Sequence, residues 1–135
     1  MADTTAYTFG TRLPMSVVEA RPRVEAALKA EGFGVLTEID VAATMKAKLG
    51  IDGLPYLILG ACNPPLAHRA IEAEPSIGAL LPCNVVLREE DGSTIIEAMD
   101  PLAVLGIVNS PEIEAVAREA HDRLVRVIAT LEPNS

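Results

Sequence analysis

The chain predicts an α+β single domain spanning residues 1–135, in which a strand, a helix, four strands and a closing helix build a largely antiparallel sheet with helices on one face. Three observations carry that expectation. Asp91-Gly92 separates two apolar runs, Cys83 to Glu89 and Ser93 to Met99, and is the strongest short-range hairpin signal in the sequence. Asn63-Pro64, Asp100-Pro101 and Ser110-Pro111 each couple a side-chain cap to a proline whose missing N–H costs nothing at the first helical position. Pro111 to Leu131 then places Ile113, Ala117, Leu124, Ile128 and Leu131 on one side of a long last helix.

The remaining elements follow in chain order. Thr5 to Leu13 carries Tyr7, Phe9 and Thr11 at alternate positions and reads as a first strand. Ser16-Val17-Val18-Glu19 has capping-box spacing, Val17, Val24, Ala27 and Leu28 supply an apolar stripe, and Gly32 is a stop. Pro22 removes a backbone hydrogen bond to Val18, so this helix either kinks or begins near Arg21. Phe33 to Ile39 reads as a second strand, and Asp40 caps a short helix that turns Val41, Met45 and Leu49 inward and ends at Gly50. Pro55 to Cys62 is apolar except for the Tyr56 hydroxyl, the pattern of a strand buried on both faces in mid-sheet.

A two-residue Asp91-Gly92 loop sets a register: Arg88 with Ile95, Leu87 with Ile96, Val86 with Glu97, Val85 with Ala98. Cys83, Val85, Leu87, Ile96 and Ala98 then form the core face. The other face mixes Asn84, Val86, Arg88, Ile95, Glu97 and Met99, which a helix-covered face would rarely show. It suits solvent, one wall of a pocket, or the isologous interface of a homodimer.

Composition narrows the function. With half of its 135 residues hydrophobic and 22% charged, the chain builds a core without a metal or disulfide staple, and buries roughly 70% of its unfolded surface. A net charge of −8 repels phosphate backbones, and the 3% aromatic content leaves few base-stacking platforms, so nucleic acid is rejected as a partner. Met1 to Thr5 lacks a positive region followed by an apolar stretch, and no apolar run approaches the roughly 20 residues of a membrane span. A cytoplasmic protein without a membrane partner is expected, its two cysteines free thiols too far apart for a redox or zinc motif.

The most distinctive local feature is a cysteine followed by asparagine, in Gly60-Ala61-Cys62-Asn63-Pro64-Pro65-Leu66-Ala67-His68 and again in Leu81-Pro82-Cys83-Asn84-Val85-Val86. With Gly32-Phe33-Gly34-Val35 before them and Asp100-Pro101 after them, these segments resemble the domain-of-unknown-function 302 family along nearly the whole chain. The resemblance implies a plan similar to the TATA-binding-protein fold without its DNA-binding function. It implies no reaction.

Cys62 ends a strand just before a helix cap, where a helix N-terminus favours a thiolate, yet Pro64 and Pro65 delete two donors and Asn63 takes the first free one, Leu66 N–H. Modest activation of Cys62 is therefore expected, against the plainer reading of a small buried hydrophobe. Cys83 points to the core side of its hairpin and should be slower, with no disulfide to Cys62. His68 falls on the polar side of its helix with Glu72 one turn on, a solvated pair, and His121 borders an apolar stripe as a half-buried packing residue. Those four side chains have the chemistry of a soft-metal site but no ligand spacing, so neither metal nor cofactor is assigned. Glu89-Glu90-Asp91 is a solvated hairpin tip, and no serine has a catalytic partner.

The favoured reading is a non-catalytic, homodimeric module that binds a small-molecule ligand or protein partner near the Cys62–His68 loop, with Cys62, Asn63, His68, Cys83, Asn84, Arg88 and Glu97 as ligand-binding residues and no catalytic residue. A thiol-based carrier of sulfur, redox equivalents or a soft metal on Cys62 and Cys83 is the alternative, and a purely structural association subunit the third.

Overall fold

A computed structural model describes residues 3–133, leaving Met1 and Ala2 of the N-terminal segment read above outside it. Its strands are β1 (Asp3–Thr4), β2 (Thr8–Leu13), β3 (Gly34–Asp40), β4 (Tyr56–Cys62), β5 (Cys83–Glu90) and β6 (Ser93–Met99). Its helices are α1 (Val17–Ala30), α2 (Val41–Leu49), α3 (Pro64–Ala73), α4 (Pro101–Leu105) and α5 (Pro111–Leu131), with 3-10 turns at Pro75–Leu80 and Gly106–Val108. All six strands form one antiparallel sheet in the order β1-β2-β6-β5-β4-β3, and α1 and α5 pack on one face of it. The α+β plan expected from sequence is the plan observed.

Turn chemistry accounts for the register. Asp91 and Gly92 take φ of +53° and +79°, the paired positive values of a type I′ hairpin, and the strand partners are those the loop length dictates, Arg88 with Ile95 through Val85 with Ala98. The first strand is shorter than expected. The Thr5 hydroxyl accepts from the N–H groups of Tyr7 and Thr8, closing a turn that folds β1 back onto β2 and leaves Tyr7 outside the sheet and exposed.

Helix α1 starts at Val17, not near Arg21. Ser16 Oγ accepts from Glu19 N–H at 3.1 Å while Glu19 Oε1 accepts from Ser16 N–H at 3.3 Å, and this reciprocal cap holds the first turn despite Pro22. The Val18 carbonyl that loses its donor belongs to a highly exposed residue, where water reaches it. At the other end Gly32, at φ +86°, lets Phe33 N–H reach Leu28 O and Gly32 N–H reach Lys29 O, a Schellman closure with Phe33 and Leu28 both buried.

Two burial expectations are corrected. Asp40 and Gly50 cap α2 as read, but none of its residues is buried, and Met45 and Leu49 are exposed, because this helix packs chiefly against β4 beside the sheet edge. In β4, Leu59 and Ala61 enter the core while Tyr56 and Ile58, on the opposite face, are half-buried. That face carries a lattice of ion pairs instead of helices. Arg88 Nε lies 2.8 Å from Glu97 Oε1, Arg88 Nη1 2.7 Å from Glu90 Oε2, and Arg12 Nη2 3.4 Å from Glu90 Oε1. Ile95 pairs with Arg12 on one side and Arg88 on the other, and under their stems it is 1% exposed.

Among the described residues no helix is long and apolar enough to cross a membrane. In β2 the buried Gly10 lies so close to β6 that an added Cβ would overlap the Ile96 carbonyl oxygen. Gly10→Ala is expected to cost about 1–3 kcal/mol, since two paired backbones must separate, read as a lower urea midpoint with unchanged m-value.

Candidate functional site

Antiparallel pairing sets Ala61 opposite Cys83, so the end of β4 and the start of β5 bring the two cysteine segments together. From there Asn63 caps α3, its Oδ1 accepting from Leu66 N–H at 3.3 Å, and the chain returns through a 3-10 turn and a cis Leu81–Pro82 bond. Between α3, the 3-10 turn, α4, the first half of α5 and this sheet end lies a cavity of about 260 Å³. Small side chains create it. Ala61, Ala67, Ala70, Ala120 and Gly78 line it where larger residues would fill it, while Leu66, Leu105 and Val116 give it apolar walls and the exposed Leu36 and Ile71 stand at its rim.

Cys62 is half-buried and Cys83 buried, and both of these free cysteines are among the residues that line the cavity. Burial pushes the Cys62 thiol above its ordinary value. Burial, with the neighbouring Cys62 adding to it, pushes Cys83 up to about 11. The expected activation of Cys62 is thus reversed: Asn63 has taken the first free donor of α3, the prolines have removed the two before it, and desolvation prevails.

Of the residues singled out from sequence, Cys62, Asn63 and Cys83 meet at the cavity. His68 stands apart in a shallow groove with Arg69 and Glu72, its side chain 75% exposed and its Nε2 3.9 Å from Glu72 Oε1. Asn84 alternates with Cys83 on β5 and is exposed, and Arg88 and Glu97 are bound to each other on the opposite sheet face. The described residues contain no group of three or more His, Cys, Asp or Glu able to hold a metal ion.

Sequence reasoning missed one pair. His121 Nδ1 lies 2.9 Å from Asp100 Oδ1, which also accepts from Leu102 N–H, and the imidazole meets the Phe9 ring edge-on at 5.3 Å. Each residue was legible alone, one as a cap and one as a packing residue, but their meeting depends on how α5 crosses the sheet.

Fold and cavity together define a single-sheet α+β domain with a thiol-lined apolar pocket at one sheet end. The chain belongs to the family described as Domain of unknown function DUF302, whose model matches residues 9–131. It is also similar to the crystal structure of the uncharacterized conserved protein DUF302 from Bacillus stearothermophilus, with 31% identity, a TM-score of 0.85, and coverage of 93% of this chain and 98% of that one. No curated protein matches the chain.

The thiol environments are measurable. At neutral pH both cysteines should alkylate more slowly than an unstructured thiol of pKa about 8.5, with Cys83 behind Cys62 and its rate still climbing toward pH about 11. Mass-spectrometric labelling of the native protein against pH checks this; a Cys62 rate that saturates below pH 8 would show an activated thiolate and reverse the assignment.

Proposed function

We propose that this chain is a non-catalytic, homodimeric cytoplasmic module that holds a small apolar ligand in the cavity between α3 and the Cys62–Cys83 sheet end. The observation that carries the reading is the cavity itself: about 260 Å³, lined by apolar side chains, close to the lower end of small-molecule sites at roughly 300 Å³. Its walls hold no charged side chain, and its two thiols are neutral at physiological pH, so the wall offers packing and little acid–base chemistry. A thiol carrier ranks second. Two cysteines lining one cavity favour it, and their raised pKa values oppose it.

For the homodimer, the face first considered is weakened as an interface because Ile95 is already buried beneath Arg12 and Arg88. Six of the exposed large apolar side chains lie instead at the other end of the sheet: Leu36 and Ile39 on the edge strand β3, Met45 and Leu49 on α2, and Ile51 and Leu54 after it. An edge strand with unpaired backbone groups and apolar side chains is a template for strand addition, and an antiparallel strand can pair with its own copy across a twofold axis.

An environment-sensitive apolar dye should bind the wild-type protein one to one and be lost from Ala67→Phe, which places a ring in the cavity mouth; saturable binding unchanged in the variant would move the site elsewhere. For assembly, light scattering at micromolar concentration should give the mass of two chains for wild type and of one for Ile39→Lys, because the substitution would bury an unpaired charge. A wild-type monomer would remove the dimer.

A further inference from the structure

The cavity at the Cys62–Cys83 sheet end combines size with a lack of hydrogen-bonding groups. Asn63 is the one lining residue with an amide side chain, and both ends of that amide are directed elsewhere. Its Oδ1 accepts from Leu66 N–H at 3.3 Å, and its Nδ2 lies 2.9 Å from where a Cβ on Gly32 would stand, a residue that does not line the cavity. The cysteines offer no replacement. Burial raises both thiols above their ordinary value, so they stay protonated at neutral pH, and a thiol is a weak donor and a weak acceptor. The surface presented to the cavity is almost wholly apolar. A hydroxyl, carboxyl or amide carried into it would lose its water and gain no partner, whereas a hydrocarbon gains the packing that Ala67, Ala70 and Ala120 leave unmade.

We infer that the pocket takes an unsubstituted hydrocarbon group of about ten carbon atoms, and that a polar group on the same molecule stays in water at the mouth beside Leu36 and Ile71. The inference rests on the pocket reading above and adds what the pocket rejects. Size follows from proportion: a closed apolar cavity of about 150 Å³ takes one benzene ring, so 260 Å³ takes about ten carbons on the same scale. The mouth sets the orientation. Leu36 and Ile71 are exposed, whereas Ala70, Leu105 and Val116 are buried, so a molecule with a polar group at one end enters hydrocarbon first and leaves that end in solvent. One with polar groups at both ends must strip the water from one of them. A free hydrocarbon and the hydrocarbon end of a larger molecule share this chemistry.

The experiment compares butylbenzene, phenylbutanol with its hydroxyl at the chain end, and the same phenylbutanol carrying a second, para hydroxyl on the ring. All have the same carbon skeleton, and their affinities for the wild-type protein are read by displacement of the apolar dye. The first hydroxyl should change affinity by less than about threefold, because it stays hydrated at the mouth. The second should weaken binding about tenfold or more, because whichever end enters leaves a hydroxyl unpaired inside. A tenfold loss already at the first hydroxyl overturns the placement at the mouth and identifies a free, wholly enclosed hydrocarbon. Equal affinity for all three compounds overturns the hydrocarbon assignment and leaves the pocket standing. Failure of wild type to bind the dye or any of the three, or binding that persists unchanged in Ala67→Phe, overturns the pocket as well.

Discussion

A β-strand has a side-chain period of two, so one tight turn decides which residues of a hairpin meet the core and which meet water. Here the turn is Asp91-Gly92. Both residues sit at positive φ, the loop admits no extra residue, and the pairing therefore places Val85, Leu87, Ile96 and Ala98 against α1 and α5. A slip by one position would send Arg88 and Glu97 into that core and Leu87 into water. Because β4 pairs with β5 and β2 with β6, the register passes outward to both halves of the sheet. It brings Ala61 opposite Cys83 and so builds the floor of the cavity; it also brings Arg12 beside Ile95 and so closes the opposite face.

The cavity is a sacrifice of packing. At about 24 cal/mol for each Å³ left empty, a closed void of 260 Å³ would forgo roughly 6 kcal/mol, comparable with the whole stability of a small domain. An opening at Leu36 and Ile71 spares part of that, but not the part lined by buried Ala70, Leu105 and Ala120. Larger side chains at Ala67 or Ala70 would fill the space between the two hydrophobic clusters. A fold that keeps alanines there gives up stability for volume, the usual relation between a binding site and its scaffold.

Most elements were legible because their signals are local. Ser16 with Glu19, Asn63, Asp100 and Ser110 each satisfy N–H groups within three residues of themselves, and Gly32 and Gly50 relieve strain at their own φ. Burial is not local. The apolar spacing of Val41, Met45 and Leu49 is that of an inward face, yet a helix is buried only if something stands opposite it, and α2 has little beyond β4. The thiols failed to follow a local rule for the same reason: a helix N-terminus acts within one turn, whereas desolvation depends on every segment around the sulfur. Arg88 and Glu97 were correctly placed on a face without helices, but the Glu90 that ties them to Arg12 bridges strands whose neighbourhood is set by tertiary pairing. The pocket belongs to the same class, since its walls come from segments scattered between Phe33 and Ala120.

One residue joins the two proposed surfaces. Leu36 sits at the irregularity in β3 where pairing shifts between Val35 and Thr37; there its side chain is 67% exposed and lines the mouth of the cavity. A second copy docked along β3 would cover that mouth from outside. Ligand in the pocket would then contribute apolar surface to the interface, and the interface would shield the ligand from water. Two binding events that share a surface share a coupling free energy, and the coupling acts equally in both directions. On this arrangement occupancy tightens the dimer by the same factor by which dimerisation tightens the ligand, and an edge strand that would otherwise be an aggregation hazard becomes the device that joins them.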